Sequence, residues 1–309
     1  MKRYYFFFLL VASSFSVKDV FAQQDPQFSQ YMFNPLYVNP AYAGSRGVMN
    51  GALEFRKQWV GFDGAPTTED LSINTPTKKG KVGLGLEVIN DVIGPQNTSG
   101  AYLDYAYRVP LGKGKLAFGL GAGLVSYRVN WNKIEYKDNA DGYAQLGATN
   151  ITKPDFKFGV YYNNKNFFVG ASYTHINREV YAVTQDTFKF TAQMASHVYI
   201  TAGRAFQLSD NVLFSPSIML RGVSGFAVGD MDLNLNFKFK DMLWLGLSLR
   251  SEKSIVAIAE YNITNHIKLG YSYDMTLNKL RSYESGTHEI VLGFDLNVFQ
   301  SQVLSPRFF

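Results

Sequence analysis

The chain has 309 residues, of which 46% are hydrophobic, 16% aromatic and 18% charged, and it contains no cysteine. Its aromatic content and modest charge exclude a disordered chain. The missing thiols exclude disulfide scaffolds, Cys-ligated zinc, iron–sulfur clusters and a cysteine nucleophile. A formal charge of +5, from 30 basic and 25 acidic residues, gives no reason to invoke nucleic acid as a partner.

The chain opens on Lys2-Arg3, an apolar stretch over residues 4–17, and Val20-Phe21-Ala22. A positive start, a short apolar core and a small residue at the end form the layout of a secretory signal peptide, predicted over residues 1–22. The apolar stretch is too short to span a bilayer, and no later stretch has the ~18 consecutive apolar residues of a membrane helix. The protein is therefore expected to be exported.

Residues 23–47 form a second unit, rich in aromatics and carrying two Asn-Pro pairs, Asn34-Pro35 and Asn39-Pro40. A residue before proline is pushed out of the helical region, so turns or extended backbone are expected here. Two readings follow. The unit is either a loop leading into the first strand or a structured plug or periplasmic collar, because its aromatics need a surface to bury against.

From residue 48 to 309 the pattern is period-two alternation. Over residues 230–240 every odd position is apolar and every even one polar or charged. A helix would scatter these side chains around its circumference, so a strand is the economical reading. Strand centres fall near Phe55, Leu71, Leu86, Tyr105, Leu120, Phe158, Gly170, Tyr199, Ile218, Leu235, Leu247, Ala257, Tyr271 and Leu292. The runs approach the ~9–11 residues that cross a bilayer at a tilt, longer than ordinary soluble strands. Tyr and Phe recur near their ends, as in interfacial girdles. With the export signal, this predicts an all-β fold: a transmembrane antiparallel β-barrel of about 14 strands in the outer membrane, its apolar face toward lipid. A secreted sandwich is the alternative. The pleat places Leu235 toward lipid and Asn234 toward the lumen, so arginine is expected to be tolerated better at 234.

Turn lengths fix an orientation. Connections at residues 112–114, 163–165, 208–211, 240–241 and 264–266 are tight, whereas 132–153, 177–190, 61–64 and 277–286 are long. The short set follows even-numbered strands and most of the long set odd ones, which, with the N-terminus in the periplasm, puts long loops at the cell surface and short turns in the periplasm. The brief link at 251–253 is the exception.

The block from Asp25-Pro26-Gln27 through Tyr31, Asn34-Pro35 and Asn39-Pro40-Ala41 to Gly44 closely resembles the opening of the PorP/SprF family, membrane components of the Bacteroidetes type IX secretion system. The resemblance continues at Arg56-Lys57-Gln58-Trp59 and Gly64-Ala65-Pro66. It returns over residues 286–293 and in the closing Ser305-Pro306-Arg307-Phe308-Phe309. It implies a porin-like outer-membrane barrel that works with secretion and gliding machinery and is not an enzyme. Its implied partners are a secreted surface protein or adhesin, other periplasmic components of the system, and outer-membrane lipid. Asp25, Pro26, Gln27, Tyr31, Asn34, Pro35, Asn39, Pro40, Ala41, Gly44, Arg56, Gln58 and Trp59 are the candidate plug or partner contacts.

Little other chemistry is legible. His175, His197, His266 and His288 form neither HxH nor HExxH, so no dedicated metal site and no cofactor is expected. Gly119, Gly121 and Gly123 lie inside an alternating run with no following helix, so small side chains facing a crowded lumen explain them better than a nucleotide loop. The alternative to a secretion partner is a porin-like or hydrophobic-substrate transporter, since wide barrels enclose lumens.

Overall fold

The computed structural model describes residues 25–136, 147–185, 188–223 and 228–298. The expected signal peptide and the closing residues 305–309 lie outside the described residues. In chain order the first strands are β1 (Met49–Lys57), β2 (Thr67–Pro76), β3 (Val82–Ile93), β4 (Gln96–Leu111), β5 (Gly114–Asn130) and β6 (Ala148–Asn163). There follow β7 (Phe167–Thr174), β8 (Val180–Gln185), β9 (Phe188–Gln193), β10 (His197–Arg204), β11 (Phe206–Ser209) and β12 (Val212–Val223). The last are β13 (Val228–Phe239), β14 (Leu243–Arg250), β15 (Ser254–Asn262), β16 (Ile267–Thr276) and β17 (Thr287–Leu296).

Each neighbouring pair is antiparallel, and the sheet closes on itself through β10 and β12. The first and last strands meet, from Met49 opposite Leu296 to Lys57 opposite His288. The wall therefore has fourteen strands, as the alternation predicts, and each expected strand centre lies inside one of them. The short β11 pairs with the base of β12, continuing β10 past Ala205. Closure leaves the wall without a free edge and pairs its backbone groups without water, which is what a bilayer demands.

The faces are inverted relative to a water-soluble protein. In β1, Leu53 is 51% exposed while its neighbour Glu54 is fully buried. The same holds around the wall: Leu84, Leu103, Leu120, Leu247, Leu269 and Leu292 point outward, while Glu87, Asp104, Arg250, Asp274 and Glu289 are buried inside. A period-two strand puts alternate residues on opposite faces, so the sequence pattern alone sorts lipid-facing from lumenal side chains.

The loops depart from expectation in three places. The connection expected over 132–153 is shorter, because residues 148–153 alternate and zip onto the end of β5, with Ala148 opposite Asn130 and Lys153 opposite Val125. The connection after β7 carries its own hairpin, in which Val180 pairs with Gln193. Besides the link at 251–253, the long-loop rim also has a tight link at Gly94-Pro95 between β3 and β4.

Inside the wall lies the N-terminal segment. From residue 25 to residue 50 none is exposed. It fills the lumen as a plug, and neither a free loop nor a collar beneath the barrel fits that burial.

Candidate functional site

The plug is shaped by its two Asn-Pro pairs. Pro35 starts a single helical turn, α1 (Pro35–Val38), where its fixed φ and missing N–H cost nothing. Pro40 starts a 3₁₀ turn over Pro40–Tyr42, capped by Asn39 Oδ1, which accepts from the Ala41 N–H at 2.9 Å. Both asparagines also reach the wall. Asn34 Nδ2 donates to Asp70 at 2.9 Å and its Oδ1 accepts from Ser72 at 2.7 Å. Asn39 Nδ2 donates to the carbonyls of Val160 and Ala171 at 3.0 and 3.3 Å.

The plug runs lengthwise through the barrel. Asp25 lies at the long-loop rim, where Gln27 Nε2 donates to Glu252 in the 251–253 link at 2.8 Å. At the other rim the Gly44 N–H donates to Asn74 Oδ1 at 2.8 Å, and Arg108 donates to the carbonyls of Tyr42 and Ala43. Arg46 pairs with Asp295, which also holds Lys268. The chain then reverses into β1. Gly44 has φ +69°, and a Cβ there would sit 2.9 Å from the Pro76 backbone, so both conformation and space call for glycine.

Midway sits a charged cage around Ser29. The Ser29 and Gln30 N–H groups donate to the two oxygens of Glu289 at 2.7 and 2.8 Å. Ser29 Oγ donates to Asp274 at 2.7 Å and accepts from Arg56 Nη1 at 2.7 Å. Arg56 bridges Glu289 and Asp274 at 2.9 Å each, and Arg250 joins Asp274 at 3.0 Å and the Phe28 carbonyl at 2.9 Å. Two guanidiniums and two carboxylates thus neutralise one another in a buried site. Beside the cage, Phe28, Tyr31, Met32 and Phe33 pack against Tyr199, Met219, Trp244, Val256 and Ile258 of the wall.

At the long-loop end Asp25 meets two imidazoles. Its Oδ1 lies 2.8 Å from His175 Nε2, and its Oδ2 lies 3.2 Å from His197 Nδ1 and accepts from Tyr199 at 3.2 Å. Burial opposes ionisation of Asp25, yet both imidazoles and the Tyr199 hydroxyl hold its pKa well below the usual carboxylate range. Burial likewise opposes protonation of His175, but the carboxylates of Asp25 and Asp155 outweigh it and push the imidazole up to about 10.

The structure thus gathers most of the predicted residues around the plug. Asp25, Gln27, Tyr31, Asn34, Asn39 and Gly44 bond the wall, and Tyr31 does so through Asn234. Pro35 and Pro40 shape the turns, Pro26 accepts from Tyr37 at 2.8 Å, and Ala41 passes over Gly119. Arg56 reaches inward, whereas Gln58 and Trp59 lie in the β1–β2 loop, where the Trp59 N–H meets Thr287. Ser29, Gln30, Arg108, His175, His197, Arg250, Asp274 and Glu289 are the contacts that sequence reasoning missed. Arg108, Arg250, Asp274 and Glu289 show only as polar residues on the lumenal side of alternating strands, whereas Ser29 and Gln30 lie within the N-terminal block itself.

A family model described as type IX secretion system membrane protein PorP/SprF matches residues 20–294. No curated protein matches the chain. Among solved structures, a mutant of the monoaromatic hydrocarbon channel TodX is similar with a TM-score of 0.49 and 10% identity over 85% of this chain and 94% of that one. The outer membrane protein Omp33 of Acinetobacter baumannii gives 0.45 and 10% over 81% and 99%. A FadL homologue of Pseudomonas aeruginosa gives 0.46 and 11% over 88% and 95%.

Proposed function

Because this outer-membrane barrel belongs to the PorP/SprF family of type IX secretion system membrane proteins, we propose that it helps export a secreted surface protein, such as an adhesin, or anchors it at the cell surface. It does so without catalysis, in concert with other components of the system in the periplasm. The observation that carries this reading is the plug. Its bonds reach β2 at Asp70, β7 at Ser172, β14 at Arg250 and β17 at Glu289, so it is fastened around the circumference. A plug fastened around the circumference favours a docking scaffold over a conduit for small solutes.

The long-loop rim supplies a face for the partner. Loops on a rigid scaffold are where recognition concentrates, and the connections over residues 58–66, 131–147, 175–196 and 277–286 share that rim. Deleting the gene is expected to leave one large surface protein in the periplasm or missing from the surface, with small-solute uptake unchanged. Loss of uptake of a single nutrient with an intact surface proteome would replace this reading with transport.

A further inference from the structure

We propose that Asp25, His175 and His197 form a binding site for one divalent transition-metal ion of the zinc type, which ties the N-terminal end of the plug to both feet of the 175–196 loop.

The three side chains come from distant parts of the chain. His175 directly follows β7, His197 opens β10, and Asp25 is the first described residue of the plug. One nitrogen or oxygen from each lies within 4.8 Å of the others. Asp25 Oδ1 lies 2.8 Å from His175 Nε2 and Asp25 Oδ2 lies 3.2 Å from His197 Nδ1, both somewhat under the edge of a tetrahedron of ligands. That edge is about 3.3 Å for metal–ligand bonds of about 2.0–2.1 Å. Small side-chain shifts would place an ion at equal distance from all three. Two imidazoles and one carboxylate suit zinc, nickel, copper or ferrous iron and leave a position for water, with the ion displacing the proton that His175 Nε2 otherwise shares with Asp25.

Two further observations point to a ligand. The first is His197 itself, 3% exposed, whose Nδ1 is turned inward to within 3.2 Å of Asp25 Oδ2. The second is the support behind His175. Its Nδ1 lies 2.7 Å from Asp155 Oδ2, which also accepts from the Tyr102 hydroxyl at 2.7 Å. A carboxylate on the far nitrogen is the arrangement that orients metal-bound histidines and strengthens them as ligands. Asp25 and His175 also line a cavity, so the open position faces space that water can occupy.

The spacing rules gave no hint of this site, since they detect ligands only where they are close in sequence. The wall brings His175 and His197 together because Thr174 and His197 are cross-strand partners, and the plug then delivers Asp25.

The test uses the full-length barrel, extracted from outer membranes in detergent, stripped with chelator and titrated with Co²⁺. One Co²⁺ per chain with tetrahedral d–d absorption, displaced by one equivalent of Zn²⁺, is expected. His197→Ala should abolish the bands, and Asp155→Asn should weaken binding about 10–100-fold, as supporting-shell changes do. His266→Ala and His288→Ala should leave binding unchanged. Each variant is first shown to be folded by its heat-modifiable migration. Because the chain has no cysteine, a lone Gln27→Cys reports plug mobility, and Zn²⁺ should slow its alkylation in the wild-type background but not with His197→Ala. Absence of Co²⁺ bands, or bands that persist in folded His197→Ala, would overturn the site. These readouts need no secretion partner, so they succeed or fail independently of the proposed function.

Discussion

Gly119 of β5 lies directly beneath Ala41 of the plug, and a Cβ at residue 119 would run into the Ala41 backbone. The glycine is there so that two backbones can approach. Gly83 under the Ala43 carbonyl repeats the relationship on β3, whereas a Cβ at Gly159 of β6 would meet the Asn39 side chain. Since the obstacle at residue 119 is backbone, it cannot swing aside like a side chain. Overpacking a fitted interior costs about 1–3 kcal/mol, and more where nothing can give. Gly119→Leu is therefore expected to unseat this half of the plug in a barrel that still assembles. Planar-bilayer recordings should find larger conductance than for wild type; equal, near-zero conductance would mean that the substitution leaves the plug seated, and equal, high conductance that the plug does not close the lumen.

The cage at Ser29 predicts a second outcome. Arg56→Ala would take the ion-pair partner from buried Glu289 and leave Asp274 with Arg250, which also faces Asp232, and breaking such a pair typically costs about 3–5 kcal/mol. Ser29→Ala removes a hydroxyl but leaves its N–H on Glu289, so its cost should be nearer 1–2 kcal/mol. Denaturant unfolding followed by tryptophan fluorescence should rank the variants in that order. An Arg56→Ala barrel as stable as wild type would remove the cage from the forces seating the plug.

At Asn234 the plug removes the tolerance of arginine that the pleat alone suggests, while Leu235 stays on the lipid face. Leu235 faces lipid, where arginine near the bilayer midplane of a barrel costs about 2–4 kcal/mol. Asn234 faces inward but is fully buried, its side chain bonded to the Tyr31 hydroxyl. Leu235→Arg and Asn234→Arg are therefore both expected to reduce folded barrel in outer-membrane fractions, by different routes. Removing residues 25–44 should restore Asn234→Arg and leave Leu235→Arg impaired. Rescue of both or of neither would count against this assignment of faces.

What was legible follows from the range over which each signal acts. Alternation is local, so Leu53 against Glu54 and Leu235 against Asn234 could be sorted from neighbours alone, and with them the fourteen strands. The Asn-Pro pairs are local too and gave the bends of the plug. The contacts of Ser29 were not legible, because Asp274 and Glu289 lie 245 and 260 residues away. Nothing in a polar residue on a strand says which partner waits in the lumen. His175 and His197 looked unrelated for the same reason, and only the pairing of β7 with β10 brings them together.

The direction of the plug yields the last prediction. Asp25 sits with His175, and Gln27 with Glu252, at the rim that carries the loops over 58–66 and 277–286. Gly44 sits with Asn74, and Arg46 with Asp295, at the rim of the tight turns. Long loops of such barrels face outward. The chain must therefore thread from the cell surface toward the periplasm before turning back into β1. An epitope inserted just before Asp25 should be reached by antibody on intact cells, as should one at Asp63 in the β1–β2 loop. An epitope at Gly112, in the tight turn between β4 and β5, should be reached only after permeabilisation. If Asp63 were labelled on intact cells while the tag before Asp25 stayed hidden, the plug would enter from the opposite rim and the threading would be wrong. If only Gly112 were labelled, the threading would stand but the whole barrel would be inverted.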